Sequence, residues 1–290
     1  MKGIRAWSAI GIVSLFCSLC LPAQQARDEN ADLNPASAPG PVNFNAIAIL
    51  RWYSANLTTN FDTGIGPEGI AFDGAHIWVA NFSGNDVTEL EASDGGLLGT
   101  FNVGSSPVGV AFDGANIWVA NSGGNNVTKL RASDGRALGS FDVGSSPVAA
   151  AFDGADIWVA NGGSGNVTKL RARDGKVLGR FKVGTGPEGI AFDGVNVWVA
   201  NFGSNDLTKL RASDGKVLGT FNVGKEPQGV AFDGVNIWVA NFGSSDVTKL
   251  RASDGKVLGT FGVGLFPFGV AFDGANIWVT NAGSNTVSKR

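Results

Sequence analysis

GVAFDGANIWVAN, residues 109–121, is the stretch that decides the fold. Versions of it stand at 69–81, 149–161, 189–201, 229–241 and 269–281, so the six copies start 40 residues apart. Two short apolar runs flank an Asp-Gly pair. Asp-Gly accepts the positive φ that matches the right-handed twist of two paired strands, so the stretch reads as a β-hairpin. Along the second run Ile117 and Val119 point one way and Trp118 the other. Apolar residues on both sides mean a strand buried on both faces. A fixed 40-residue period also overrides the prior of one or two ordinary domains that 290 residues would suggest.

Working outward, each unit carries four strand-like runs, GVAFD, IWVAN, VTKLRA and VLGTFNV in their commonest forms. They are separated by Asp113-Gly114, the loop 122–126, Asp134-Gly135 and the loop Gly104–Pro107. No segment holds a 3.6-residue apolar period over ten residues, so no helix is expected. Four antiparallel strands in 40 residues is the dimension of one blade of a β-propeller. The expected fold is all-β, a six-bladed β-propeller of four-stranded antiparallel blades, with the first strand at the channel and the fourth at the rim. The 43 glycines follow no Gly-X-Y period and so mark turns, not collagen.

The units run 61–100, 101–140, 141–180, 181–220, 221–260 and 261–290, and the last ends before a full third strand. Residues 47–61, IAILRWYSANLTTNF, align with VTKLRASDGRALGSF at 127–141, placing Leu50, Arg51 and Phe61 on Leu130, Arg131 and Phe141. Residues 46–60 are therefore expected to supply closing strands, with the closing blade shared by both termini. Val287–Arg290 competes for the third-strand place, and the longer N-terminal run is favoured. Before it, residues 1–26 read as a signal peptide, with Lys2 and Arg5 ahead of an apolar run from Ala6 to Leu21, and 27–45 as a flexible linker. Cys17 and Cys20 both fall within the signal. The expected location is secreted, periplasmic or cell surface, with no transmembrane segment in the mature chain. A net charge of −3 without a polybasic tract argues against nucleic acid as a partner.

The unit VGxxPxGVAFDGxNIWVANxxSNxVTKLRASDGKVLGTF resembles the YVTN type of propeller repeat, with WVAN at 198–201 and 238–241 in the place of the name-giving motif. It is also similar to NHL repeats and to those of the virginiamycin B lyase family. The resemblance covers 61–290 and implies the fold; it also implies that relatives are often seven-bladed. The lyase family uses histidines toward its channel, and their absence here argues against carrying that activity over.

Comparing the copies separates scaffold from surface. The turns between strands one and two and between three and four barely change, while the loops from four to one and from two to three vary. In a meander these two variable loops share one face, which is where binding on a repeated scaffold lives. The candidate binding residues are Phe82, Phe202, Phe242, Phe266, Phe268, Glu68, Glu188, Lys225 and Gln228. The partner expected there is a protein, a glycan or a small ligand, and the function an exported binding module. The alternatives are a metal-dependent lyase or lactonase-like hydrolase at the channel mouth, using Glu68 and Glu188 with Asp206 or Asp246, and a structural envelope protein. No cofactor is expected; carboxylates such as these could hold a divalent cation at the channel mouth, but nothing else in the sequence supports one. His76, the one histidine, stands in a strand-one-to-two turn where sister units have Asn116, Asp156 and Asn196. Neither a Ser-His-Asp array nor a histidine-ligated zinc site is expected, and no catalytic residue is assigned. On the third strand Lys129, Lys169, Lys209 and Lys249 alternate with Arg131, Arg171, Arg211 and Arg251, while the first unit has Glu89 and Glu91. The reading of that stripe is a solvated, salt-paired flank.

Overall fold

In the computed structural model, which describes residues 60–290, every unit folds as an antiparallel meander. Blades 1 to 5 span 67–102, 107–142, 147–182, 187–222 and 227–262, each with four strands in sequence order. Among the described residues blade 6 has three, Pro267–Phe272, Ile277–Asn281 and Thr286–Lys289. The six-bladed all-β propeller is thus the fold. Among the described residues no helix is long and apolar enough to cross a membrane.

The last blade corrects one expectation. Its third strand is Thr286–Lys289, paired Trp278 with Lys289 and Asn281 with Thr286, and not the N-terminal run. The physical reason is closure entropy: a four-residue loop brings these partners together, whereas residues 46–53 would close a loop of more than 200. The signal peptide, the linker and the proposed closing strands up to residue 59 lie outside the described residues.

The Asp-Gly turn has a second duty besides reversing the chain. Asp113 Oδ1 accepts the backbone N–H groups of Ala115 and Asn116 at 3.0 and 2.7 Å, and its Oδ2 accepts Trp118 Nε1–H at 2.7 Å. Gly114 follows at φ +95°. The same indole-to-aspartate bond recurs at 2.6–2.8 Å in the other five blades. A buried tryptophan thereby has its one polar group satisfied.

Each second strand feeds two cores. Ile117 and Val119 pack with Trp78 of blade 1, while Trp118 and Ala120 pack with Ile157, Val159 and Leu170 of blade 3. Rim phenylalanines cover the indoles within blades 1 to 5 at 5.5–5.8 Å between ring centroids. At the channel the inner strands come closer still. A Cβ on Gly69 or Gly189 would collide with the carbonyl oxygen of Val108 or Gln228 on the next blade, which explains the Gly of Pro-x-Gly.

The third-strand lysines differ from expectation. Lys129, Lys169 and Lys209 are buried, with ammonium groups 4.9–5.1 Å from the ring centroids of Trp118, Trp158 and Trp198. They donate to the carbonyls of Ala172, Ala212 and Ala252 on the following blade at 2.6–2.7 Å. Only the arginines form the exposed flank, paired with Asp134, Asp174, Asp214 and Asp254. Alternation in a strand sends neighbours to opposite faces, and one of these faces is an interior.

Five apolar clusters join the six blades in series, and among the described residues none joins blade 6 to blade 1. Trp278 accordingly exposes 39 % of its surface, against 0–7 % for the other five blade tryptophans. On blade 1, the Phe61 ring lies over Gly95 as Phe101 lies over Gly135.

Trp158→Ala should destabilise the chain by about 3–5 kcal/mol, the range for emptying a fully packed aromatic site. Trp278→Ala should cost less than half as much. Denaturant midpoints of the two variants check both values.

Candidate functional site

The two variable loops of each blade are tied together. Phe82 N–H donates to Gly66 O at 2.7 Å, Phe202 to Gly186 at 2.8 Å, Phe242 to Glu226 at 3.0 Å and Ala282 to Phe266 at 3.0 Å. They therefore share one face. Adjacent blades are stitched there too, since Asn85, Asn125 and Asn205 accept the N–H of Ser106, Ser146 and Glu226 on the next blade at 2.7–2.9 Å.

The residue before each inner-strand proline sits in the left-handed region. Gly66 and Gly186 do so at φ +72° and +61° without steric cost; Ser106, Ser146, Glu226 and Phe266 do so at +49° to +54°. For a phenylalanine this conformation is unfavourable by roughly 1–2 kcal/mol. Phe266 also exposes 47 % of its surface, beside Leu265 at 54 %. Phe242 stacks on it at 4.8 Å with planes 19° apart, and meets Phe268 edge-on at 6.5 Å. Three of the five sequence-predicted phenylalanines are thus brought together across blades 5 and 6. Phe82 and Phe202 are half-buried and enter no aromatic pair among the described residues.

Second place on each inner strand belongs to Glu68, Val108, Val148, Glu188, Gln228 and Phe268. Burial pushes Glu188 up to about 7, and the charge of Glu68 adds to the rise; burial pushes Glu68 up to about 7 as well. Lys225 stands exposed in its loop and forms no ion pair with either among the described residues, and Gln228 is half-buried beside the same ring. Asp206 and Asp246 are committed elsewhere. Each accepts the amide of a buried asparagine, Asn201 or Asn241, at 2.6 Å.

Two features were missed from sequence. A groove of about 600 Å³ lies between the loops of blades 3 and 4, bordered by Arg180, Lys182, Thr185 and Ser204. Sister units carry Thr or Ser in place of Arg180, and Asn, Asp or Gly in place of Lys182, so comparing outer strands would have found it. At the opposite end of the molecule, Asp73 Oδ2 lies 3.1 Å and Glu89 Oε1 3.4 Å from His76 Nδ1. Burial raises the Glu89 carboxyl above its ordinary value. His76 is drawn down by burial, but the bond and charge of Asp73 with the charges of Glu89 and Glu91 lift it above its ordinary value. His76 opens the second strand instead of idling in the turn.

Residues 50–258 match the family described as outer membrane protein assembly factor BamB. No curated protein is similar enough to count as a match. Among solved structures, a streptogramin B lyase is 17 % identical, with 77 % of this chain and 78 % of that one covered and a TM-score of 0.66. A functionally unknown protein from Desulfotomaculum acetoxidans DSM 771 is 16 % identical, with coverages of 74 % and 78 % and a TM-score of 0.65. The hydrazine synthase of Kuenenia stuttgartiensis is 17 % identical, with coverages of 81 % and 98 % and a TM-score of 0.55. At such identities the likeness is one of fold.

The paired carboxylates make a pH prediction. Both hold a proton in the folded chain above the pH at which the unfolded chain releases it. Their contribution is most favourable below about pH 4.5 and is lost as pH rises through about 7. Glu188→Gln, which copies Gln228, should remove part of that loss and stabilise the chain at pH 8 by roughly 1–3 kcal/mol relative to pH 4.5. Thermal midpoints of both proteins between pH 4.5 and 8 read the difference.

Proposed function

The chain belongs to the family of the outer membrane protein assembly factor BamB, and from that premise we propose an exported binding module whose loop face captures a protein partner. The observation that carries this reading is Phe266. The same place is filled by Gly66 and Gly186 and by the small or polar Ser106, Ser146 and Glu226; a phenylalanine there at φ +53°, half-exposed and stacked on Phe242, is unfavourable for the fold taken alone. Strain of this kind persists where contact with another molecule uses it. Phe268 extends the patch inward to the channel mouth, and Leu265 extends it outward. An apolar patch rimmed by Lys225 and by Ser and Thr loops has the make-up of a protein-docking surface. The location that suits such a module is the periplasm or cell surface.

A second reading rests on Glu68 and Glu188. Two carboxylates that titrate near neutrality at the mouth of a channel suit acid–base work in a lyase or hydrolase. Glu188→Gln would abolish turnover under this reading and leave partner capture intact under the first.

The docking reading is tested by placing a photo-crosslinking residue at position 266, and separately at 195. Val195 is equally apolar and 66 % exposed, but lies in the invariant turn at the other end of blade 4. Adducts of one defined mass should form in the cell envelope from position 266 and not from 195. Combining Phe242→Ser with Phe266→Gly should weaken binding of the purified adduct partner at least tenfold. Stability should shift by only about 1 kcal/mol at position 266, because glycine fits that backbone. Equal adducts from both ends would sink the assignment.

A further inference from the structure

Blade 1 departs from the repeat at one buried place. In the other five blades the third strand carries a lysine whose ammonium stands 4.8–5.4 Å from the ring centroid of the same blade's tryptophan, at Lys129, Lys169, Lys209, Lys249 and Lys289. Blade 3 shows what surrounds that charge. Lys169 Nζ lies 2.9 Å from Asp156 Oδ2 and 3.9 Å from Asp153 Oδ2, and donates to Ala212 O at 2.6 Å. By the 40-residue period the matching residues are Asp73 for Asp153, His76 for Asp156, Glu89 for Lys169 and Ala132 for Ala212. Asp73 and the Ala132 carbonyl keep two of the sister site's acceptors, His76 replaces the third, and the cation they surround has become a carboxylate.

That carboxylate is not a surface group. The Glu89 side chain exposes 9 % of its area and accepts no hydrogen bond from any described residue, and its nearest charged neighbour is His76 Nδ1. Glu91, the cross-strand partner of His76, adds a further negative charge at the edge. Two carboxylates buried beside one another share a single imidazole where each sister blade supplies a full lysine charge, so the cluster is short of positive charge. One ligand atom from each of Asp73, His76 and Glu89 lies within 4.8 Å of the other two, a separation that one ion can span. Trp78 Nε1–H donates to Asp73 Oδ2 at 2.8 Å and fixes the carboxylate in the way outer-shell donors orient metal ligands.

We propose that blade 1 binds a divalent transition-metal ion through Asp73, His76 and Glu89, in the place where the sister blades hold a lysine ammonium. One imidazole nitrogen with two carboxylate oxygens suits zinc, cobalt or manganese better than calcium or magnesium. Three protein ligands leave the remaining positions to water. The ion ties the Asp-Gly hairpin of blade 1 to its third strand, as Lys169 ties the hairpin and third strand of blade 3. This site lies at the invariant-turn end and is independent of the docking face.

The experiment is a titration of the untagged full-length chain with Co²⁺, followed by visible absorption. A nitrogen and oxygen site gives d–d bands without the thiolate charge-transfer band that Cys17 and Cys20 would produce. One Co²⁺ per chain should bind in this way and be displaced by Zn²⁺. Glu89→Lys and His76→Asn each restore the residue of a sister blade, so both variants retain the fold. Glu89→Lys should weaken Co²⁺ binding at least 100-fold and His76→Asn at least tenfold. Zn²⁺ should raise the thermal midpoint of the parent and not that of Glu89→Lys. If the parent shows no such bands, or if Glu89→Lys binds Co²⁺ as tightly, the proposal is wrong and the imidazolium of His76 alone replaces the lysine.

Discussion

The hydrogen bond from each blade tryptophan to the aspartate of its own Asp-Gly turn is the constraint on which the rest of the structure depends. The indole has to be buried to join two blades, and its N–H has to be satisfied once it is buried. An aspartate at the preceding turn does this while capping two backbone N–H groups, so turn shape and core packing are set by one side chain. With the indole fixed, the rim phenylalanine has a surface to cover and the third-strand lysine a ring to lie over. The near-constancy of FDGxNIWVAN, which departs only at His76, Asp156, Val197 and Thr280, is therefore the constancy of a joint, repeated because every blade has to meet the next in the same way.

That joint was legible from sequence because it is periodic. Ile117 and Val119 facing one neighbour and Trp118 the other followed from alternation alone, as did the sharing of one face by the two variable loops. The lysines were harder. Lys129 next to Arg131 looks like any charged flank, and only the depth of the sheet decides that one lies under the following blade while the other meets water. The third strand of blade 6 was misassigned for a related reason. Similarity to an earlier unit ranked residues 46–53 above Val287–Arg290, but pairing is decided by the loop that must be closed, and Asn281 finds Thr286 next door.

At the candidate site the sequence supplied the face and the phenylalanines, but not which of them meet. Five phenylalanines at loop positions were visible, but nothing in their spacing says that Phe242 stacks on Phe266 while Phe82 and Phe202 fold half-way into their own blades. Comparison between units also misled at His76. A histidine in place of asparagine looked like drift in a turn until the opposite strand brought Glu89 beside it. Paired departures from a repeat on adjoining strands carry more information than either one alone.

The exposed indole of Trp278 has a consequence for how the patch behaves. Among the described residues blade 6 shares one apolar cluster, with blade 5, and its last strand is mostly exposed. Phe242 belongs to blade 5, whereas Phe266 and Phe268 belong to blade 6. A partner gripping all three rings would bridge blades 5 and 6 and draw part of its affinity from holding them together. That contribution would be read out as the difference in hydrogen-exchange protection of blades 5 and 6 between free and occupied states.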